Sequence, residues 1–143
     1  AVVWADGTNH NPLSQQDLRD YISSTTGDIY KDGQLRLMIV AKEVTVGCID
    51  LFDLDPRNGR AAVGLYVAPP FRGQGYGKEA LTALEDYAFG FLQLRTLYAT
   101  VAEKNTVSRA VYEKMNYLPS SPLKAWTIEG DAILYIKNNA NRI

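Results

Sequence analysis

Hydrophobic runs separated by short polar turns occupy the middle of the chain, which is the pattern of consecutive strands. The runs span residues 35–40, 44–54 and 61–67. A tight connection at 41–43 follows the first run, and a turn-forming stretch at 55–59 follows the second. This stretch ends in Asn-Gly, which accepts positive φ at low cost and so favours a hairpin. The pattern therefore predicts a meander of three antiparallel strands.

The chain ahead of this meander is polar. Residues 6–12 are dense in Asp, Asn, Gly and Pro, and they predict a loop. Ser14 then has the residue type of a helix N-cap, and the apolar residues Leu18, Tyr21 and Ile22 share one face of a short helix.

The chain after the meander changes to the period of an α-helix. Apolar residues recur every third or fourth position over 77–92 and again over 106–115. Residues 97–101 predict a strand between these helices, and 126–128 with 132–136 predict a closing hairpin. The expected buried stripes are Ala80, Leu81, Leu84, Ala88 and Phe91 on the first helix, and Val107, Ala110, Val111 and Met115 on the second. Together the elements predict an α+β fold, a mixed and mostly antiparallel sheet flanked by helices, in a single domain over 1–143.

Composition excludes several classes of function. Fifteen Lys and Arg against sixteen Asp and Glu leave a net charge near zero, which argues against nucleic acid held by bulk electrostatics. No apolar run approaches the roughly 18 residues of a membrane span. Cys48 is the only cysteine, which favours a reducing, cytoplasmic setting. With His10 as the only histidine, the chain lacks a usual zinc ligand set, and we expect no metal to be required.

The most informative segment is a glycine-rich loop, Arg72–Lys78, which joins the third strand to the next helix. Its backbone N–H groups can converge on a phosphate at the positive end of that helix. A P-loop is excluded because Glu79 stands where its Ser or Thr belongs. A Rossmann loop is excluded because an antiparallel meander precedes the glycines, and 97–101 lacks the required acid.

Two motifs together resemble the GNAT acyltransferases. Residues 72–77 fit the pattern Gln/Arg-x-x-Gly-x-Gly/Ala, and 105–117 are similar to the family's Asn-x-x-Ala/Ser-x-x-x-Tyr-x-Lys-x-Gly-Phe run. Asn116 and Tyr117 stand where Gly-Phe is usual. The segment Leu123-Lys124-Ala125-Trp126 is similar to the branch that holds spermidine/spermine and ribosomal-protein alanine N-acetyltransferases. The resemblance implies the GNAT fold, with an opening strand and helix expected ahead of Ala1.

The resemblance also implies roles for particular residues. Tyr112 matches the family's general-acid tyrosine, which protonates the departing CoA thiolate. Asp50 and Asp53, on the second strand, are candidate anchors for a cationic amine, although a solvated strand edge is the slightly favoured alternative for these two acids. The residues implied for acetyl-CoA binding are Leu65, Tyr66 and Val67 on the third strand, Arg72, Gly73, Gln74, Gly75, Tyr76, Gly77 and Lys78 in the loop, and Asn105 before the last helix.

The function implied is transfer of acetyl from acetyl-CoA to a primary amine, with a polyamine such as spermidine favoured. Acetylation of protein N-termini and a non-catalytic acyl-CoA-binding module are the alternatives. The expected partners are therefore a small amine or a peptide N-terminus, without nucleic acid or membrane. Homo-oligomerisation stays open.

Overall fold

A mixed seven-stranded sheet lies at the centre of this computed structural model, which describes residues 2–4 and 29–141 of the chain. The spatial order is β1-β2-β3-β4-β5-β7-β6, and every neighbouring pair except β4–β5 is antiparallel. The strands are β1 Val2–Trp4, β2 Leu35–Ala41, β3 Val44–Asp55, β4 Arg60–Val67, β5 Thr96–Ala102, β6 Leu118–Thr127 and β7 Gly130–Asn138. The predicted α+β meander is confirmed.

The helices lie in the connections between strands. They are α1 Ile29–Asp32, the 3-10 turn Pro69–Phe71, α2 Tyr76–Glu85 with a π-helical continuation Asp86–Phe91, and α3 Thr106–Lys114. Apolar residues of α2 and α3 pack on one face of the sheet and form the main core, which includes Leu81, Leu84, Leu97 and Tyr112. The predicted loop at 6–12, which contains His10, and the predicted helix at 14–22 lie outside the described residues.

The two ends of the chain differ from prediction. Val2–Trp4 pairs with β2 and forms a strand that the hydrophobic pattern did not predict, because a run of three residues is too short to give a periodic signal. The first strand of the closing hairpin is Leu118–Thr127 rather than 126–128. Pro119 and Pro122 made residues 118–125 look unlike a strand in the sequence, because proline is excluded from central strands. Proline is tolerated in an edge strand, and β6 lies at the edge of this sheet.

The faces of the two long helices also differ from prediction. Phe91 is 77% exposed, because the wider π-helical turn rotates it off the buried face and Leu92 becomes buried in its place. Val107 is 42% exposed, while Tyr112 and Met115 are buried. α3 therefore packs along a stripe displaced from the predicted one, and Tyr112 lies on its buried side.

Candidate active site

β4 and β5 separate after three residue pairs. Arg60–Ala62 lie opposite Thr96–Tyr98, and beyond that point β4 keeps β3 as its hydrogen-bonded neighbour on the other side. Leu65, Tyr66 and Val67, the residues implied for acetyl and pantetheine binding, all lie in this separated part. An unpaired strand edge presents backbone N–H and C=O groups to an extended ligand.

The glycine-rich loop begins α2 without any side-chain cap. Gly73 and Gly75 have φ of 79° and 86°, a backbone conformation that favours glycine. The first helical hydrogen bond runs from Glu79 N to Gly75 O at 3.0 Å. The N–H groups of residues 76–78 therefore precede the helical ladder, and together with the helix dipole they favour an anion such as a pyrophosphate.

Polar side chains of the loop make contacts of their own. The Arg72 Nε donates to the Val67 carbonyl at 2.8 Å, and the guanidinium lies 5.9 Å from the centre of the Tyr66 ring. Arg72 thus links the loop to the end of β4 at the site's edge. Gln74 is exposed and donates to the Pro70 carbonyl at 3.5 Å, and Lys78 lines an outer groove of α2.

Gly77 lets α2 approach its neighbours closely. A Cβ at this position would lie 3.4 Å from Leu65 Cδ2 and 3.5 Å from Val111 Cγ2. Tyr76 packs beside it against the core. The loop is therefore held next to the separated part of β4 and next to the helix that carries Tyr112.

Tyr112 is only 2% exposed and lies between two other tyrosines. Its ring meets Tyr117 edge to face at 5.1 Å and stacks on Tyr135 at 6.1 Å. Burial, and after it the Asp50 carboxylate, raises the pKa of Tyr112 above that of an ordinary phenol. The hydroxyl is therefore protonated over the physiological range, as a proton donor must be.

The end of α3 explains the departure from the family pattern at residues 116–117. Asn116 has φ of 68° and donates its N–H to the Glu113 carbonyl at 3.1 Å, while the Tyr117 N–H bonds the Tyr112 carbonyl at 2.9 Å. These two bonds form a Schellman motif, in which asparagine is an accepted substitute for glycine. At the other end of α3, the Asn105 Oδ1 accepts from Ser108 N at 3.1 Å, so Asn105 is an N-cap.

Asp50 and Asp53 line a cavity of about 590 Å³ at the ends of β2 and β3. Asp50 accepts two hydrogen bonds from Arg36, at 2.7 and 2.9 Å, whereas Asp53 is exposed. Burial and then Asp53 raise the pKa of Tyr98 on β5, just as Asp50 raises that of Tyr112. Both acids therefore act electrostatically on the elements around the β4–β5 separation.

Two further charged residues line this cavity, and the sequence did not single them out. Arg36 and Asp32 join the two predicted acids, so three carboxylates and one guanidinium surround the space. The register of the β2–β3 hairpin would have placed Arg36 opposite Asp50 only if the bulge between Ile39 and Val40, which shifts the pairing, had been known.

The part of the chain that the structure describes holds neither a metal-ligand group nor a membrane-spanning helix. Within 2–4 and 29–141, no three His, Cys, Asp or Glu side chains group as metal ligands do. Over the same ranges no helix has the length and apolarity to cross a bilayer.

Known proteins share both the sequence pattern and the fold. YdaF of Bacillus subtilis (strain 168), a candidate ribosomal N-acetyltransferase by name, is 38% identical over 72 residues, which are 50% of this chain and 39% of YdaF. The spermidine N(1)-acetyltransferase of Escherichia coli (strain K12) is 24% identical over 89 residues, 62% of this chain and 48% of that protein. These matches cover less than half the length of either relative.

A solved structure and a family model extend these matches. The spermidine N-acetyltransferase from Vibrio cholerae, in complex with CoA and spermine, has the same fold, with a TM-score of 0.71 at 19% identity over 90% of this chain and 77% of that one. A family model described as an acetyltransferase (GNAT) domain matches residues 2–117. Since that match covers most of the chain and includes the separated strands and the glycine-rich helix start, the chain belongs to the GNAT acetyltransferase family.

Proposed function

We propose that this protein transfers the acetyl group of acetyl-CoA to a primary amine, with a polyamine such as spermidine as the acceptor. The observation that carries the proposal is the uncapped, glycine-rich start of α2 beside the separated part of β4. That arrangement offers donors for a pyrophosphate and, next to them, an open strand edge for the arm that follows it. Acetyl-CoA would supply the acetyl group as an activated thioester.

Each step of the transfer has a candidate group in this chain. Leu65, Tyr66 and Val67 would line the acetyl group and pantetheine, and one backbone N–H of this strand would stabilise negative charge on the acetyl oxygen. The loop 72–78 would bind the pyrophosphate, and the Asn105 side-chain amide would bond the CoA arm. Tyr112, whose raised pKa keeps the hydroxyl protonated, would donate its proton to the departing sulfur.

The acidic cavity supports a cationic acceptor. Asp32, Asp50 and Asp53 outnumber Arg36 around it, so its field favours an ammonium group. The Arg36–Asp50 ion pair offsets part of that charge, and Asp53 is the more exposed of the two acids predicted from the sequence. A chain of amines, one reacting and one anchored, fits such a site better than a single neutral amine.

The acids predict a selective change in amine binding. In Asp50→Asn/Asp53→Asn, the KM for spermidine is expected to rise about fivefold or more, near 1 kcal/mol, while the KM for acetyl-CoA stays within twofold, because only the amine carries the matching charge. Steady-state kinetics with each substrate varied in turn measures both constants. Glu129→Gln, an exposed acid in the β6–β7 turn, is the matched control. An unchanged spermidine KM in a folded double variant would remove these acids from the acceptor site.

The raised pKa of Tyr112 predicts a pH profile. A donor that stays protonated imposes no descending limb, so kcat at saturating substrates is expected to hold or rise up to about pH 10. The measurement is kcat against pH for the wild type and for Tyr112→Phe. A descending limb below pH 9 that disappears in Tyr112→Phe would contradict the assignment.

Acetylation of a peptide N-terminus is the second candidate, and the 38% identity to YdaF favours it. The discriminating experiment incubates the protein with acetyl-CoA and a panel of acceptors, while thiol release is followed. The panel holds spermidine, a monoamine and short peptides with free N-termini. The highest kcat/KM for spermidine supports the proposal, the highest for a peptide replaces the acceptor, and no release above the amine-free rate favours a binding module.

A further inference from the structure

A charged residue stands on the buried stripe of α2. Gly77, Ala80, Leu81 and Leu84 are buried at helical spacing, and the next buried position of the stripe is Glu85, at 9% exposure. A carboxylate on an apolar face is costly unless it is paired. Its partner is Lys137 of β7, whose Nζ lies 2.8 Å from Glu85 Oε1.

The Lys137 ammonium makes a second contact of equal length. It donates to the Met115 carbonyl at 2.8 Å and lies 5.6 Å from the centre of the Tyr117 ring. Met115 is the C-cap of α3, where orphan carbonyls and the negative end of the helix dipole favour a cation. One ammonium group therefore ties together α2, the end of α3 and β7.

The contact between Lys137 and Met115 is connected to Tyr112 through the end of α3. The Schellman bond from Tyr117 N to Tyr112 O, at 2.9 Å, joins the capped end of α3 to the backbone of Tyr112, and the two rings touch edge to face at 5.1 Å. α2, which carries Glu85 at one end, carries the glycine-rich loop at the other. The ion pair thus joins the element that holds the proposed proton donor to the element that holds the proposed pyrophosphate site.

Stability alone does not account for this cluster. Buried ion pairs contribute little net stability, because desolvation offsets the attraction between the charges. The Tyr117 hydroxyl is coupled to the same carboxylate, because burial and then Glu85 raise the pKa of Tyr117. An apolar pair at these positions would be at least as stable as the ion pair. The benefit of the charged pair therefore lies in the geometry that it imposes on α2, α3 and β7.

We propose that Glu85 and Lys137 are positioning residues that fix α3, and with it the Tyr112 hydroxyl, relative to α2 and its glycine-rich loop. The inference rests on the proposed role of Tyr112 as proton donor. Neither residue touches the reacting atoms. Their effect is on where the donor stands, and misplacement of a catalytic group by about 1 Å can cost up to 10²-fold in rate.

The test replaces both charges at once. Lys137→Met alone would strand a buried carboxylate, whereas Glu85→Met/Lys137→Met keeps side chains of similar length without charge, so the unfolding midpoint is expected to hold or rise. Its kcat is expected to fall about tenfold, with both KM values within twofold. In a Tyr112→Phe background the same pair of substitutions is expected to leave kcat within twofold, because the donor they position is gone. Lys124→Met, an exposed lysine, is the control.

Each outcome has a separate meaning. An unchanged kcat in the folded pair variant overturns the positioning role, and an equal fall in both backgrounds overturns the route through Tyr112. Tyr112→Phe by itself reports on the proposed function, so the two failures are distinct. If the methionine pair lowers the unfolding midpoint, Glu85→Gln/Lys137→Met repeats the comparison with a closer isostere.

Discussion

Tyr112→Phe is expected to lower kcat by a factor on the order of 10² to 10⁴ and to leave acetyl-CoA affinity within about twofold. The substitution keeps the ring between Tyr117 and Tyr135, so the packing of α3 is retained. It removes the proton that the departing thiolate needs. CoA thiolate is a fairly good leaving group, which places the expected loss toward the lower end of that range.

The measurement must isolate the chemical step. Single-turnover kinetics at saturating acetyl-CoA and spermidine gives the rate of transfer, and calorimetry with CoA gives the affinity. Tyr87→Phe removes a hydroxyl from the π-helical continuation of α2 and is expected to retain full activity. A wild-type single-turnover rate in Tyr112→Phe would remove Tyr112 from the mechanism and leave the glycine-rich loop as evidence for CoA binding only.

Gly75→Asp is expected to weaken CoA binding tenfold or more, which corresponds to about 1.4 kcal/mol or above. Gly75 is the N-cap of α2, has φ of 86° and makes no side-chain cap hydrogen bond. It therefore leaves the backbone N–H groups of the helix start available to an anion. An aspartate there adds strain from the positive φ and a negative charge at the proposed pyrophosphate site. Both effects oppose the same ligand.

Two controls separate these effects. Gly75→Asn has nearly the same shape without the charge and tolerates positive φ, so its loss of affinity is expected to be smaller. Gly90→Asp puts the same charge on the π-helical segment, where a Cβ meets nothing within 4 Å and φ is not positive, and it is expected to bind CoA normally. Calorimetry that finds wild-type CoA affinity in folded Gly75→Asp would remove this loop from the CoA site.

Local signals determined the meander and the loop. Turn residues at 41–43 and 55–59 predicted the positions of the two hairpins. In the structure the first turn has Lys42 and Glu43 with φ of 50° and 66°, and the second has Gly59 with φ of 67°. These turns depend on neighbours in sequence, because backbone conformation within a few residues is set by sterics and short-range hydrogen bonds. The glycine-rich start of α2 could be found for the same reason.

Pairing across the fold decided the rest. Extended from its turn, the β2–β3 hairpin would set Arg36 opposite Ile49; the bulge between Ile39 and Val40 sets it opposite Asp50, so it becomes an ion-pair partner at the acidic cavity. A one-residue shift of register moves a side chain to the other face of a sheet. Such a shift could not be predicted from the local sequence pattern.

The sequence by itself determined that a strand, a glycine-rich loop and a helix follow one another, and it placed Tyr112 in a motif. Tertiary structure decided what surrounds Tyr112: the stack on Tyr135, the contact with Tyr117, and the Glu85–Lys137 pair that joins residues 52 positions apart. Helix spacing could not identify Lys137 as the partner of Glu85. The physical reason is that packing and ion pairing depend on which elements meet in space, whereas hydrophobic period and turn chemistry depend on neighbours along the chain.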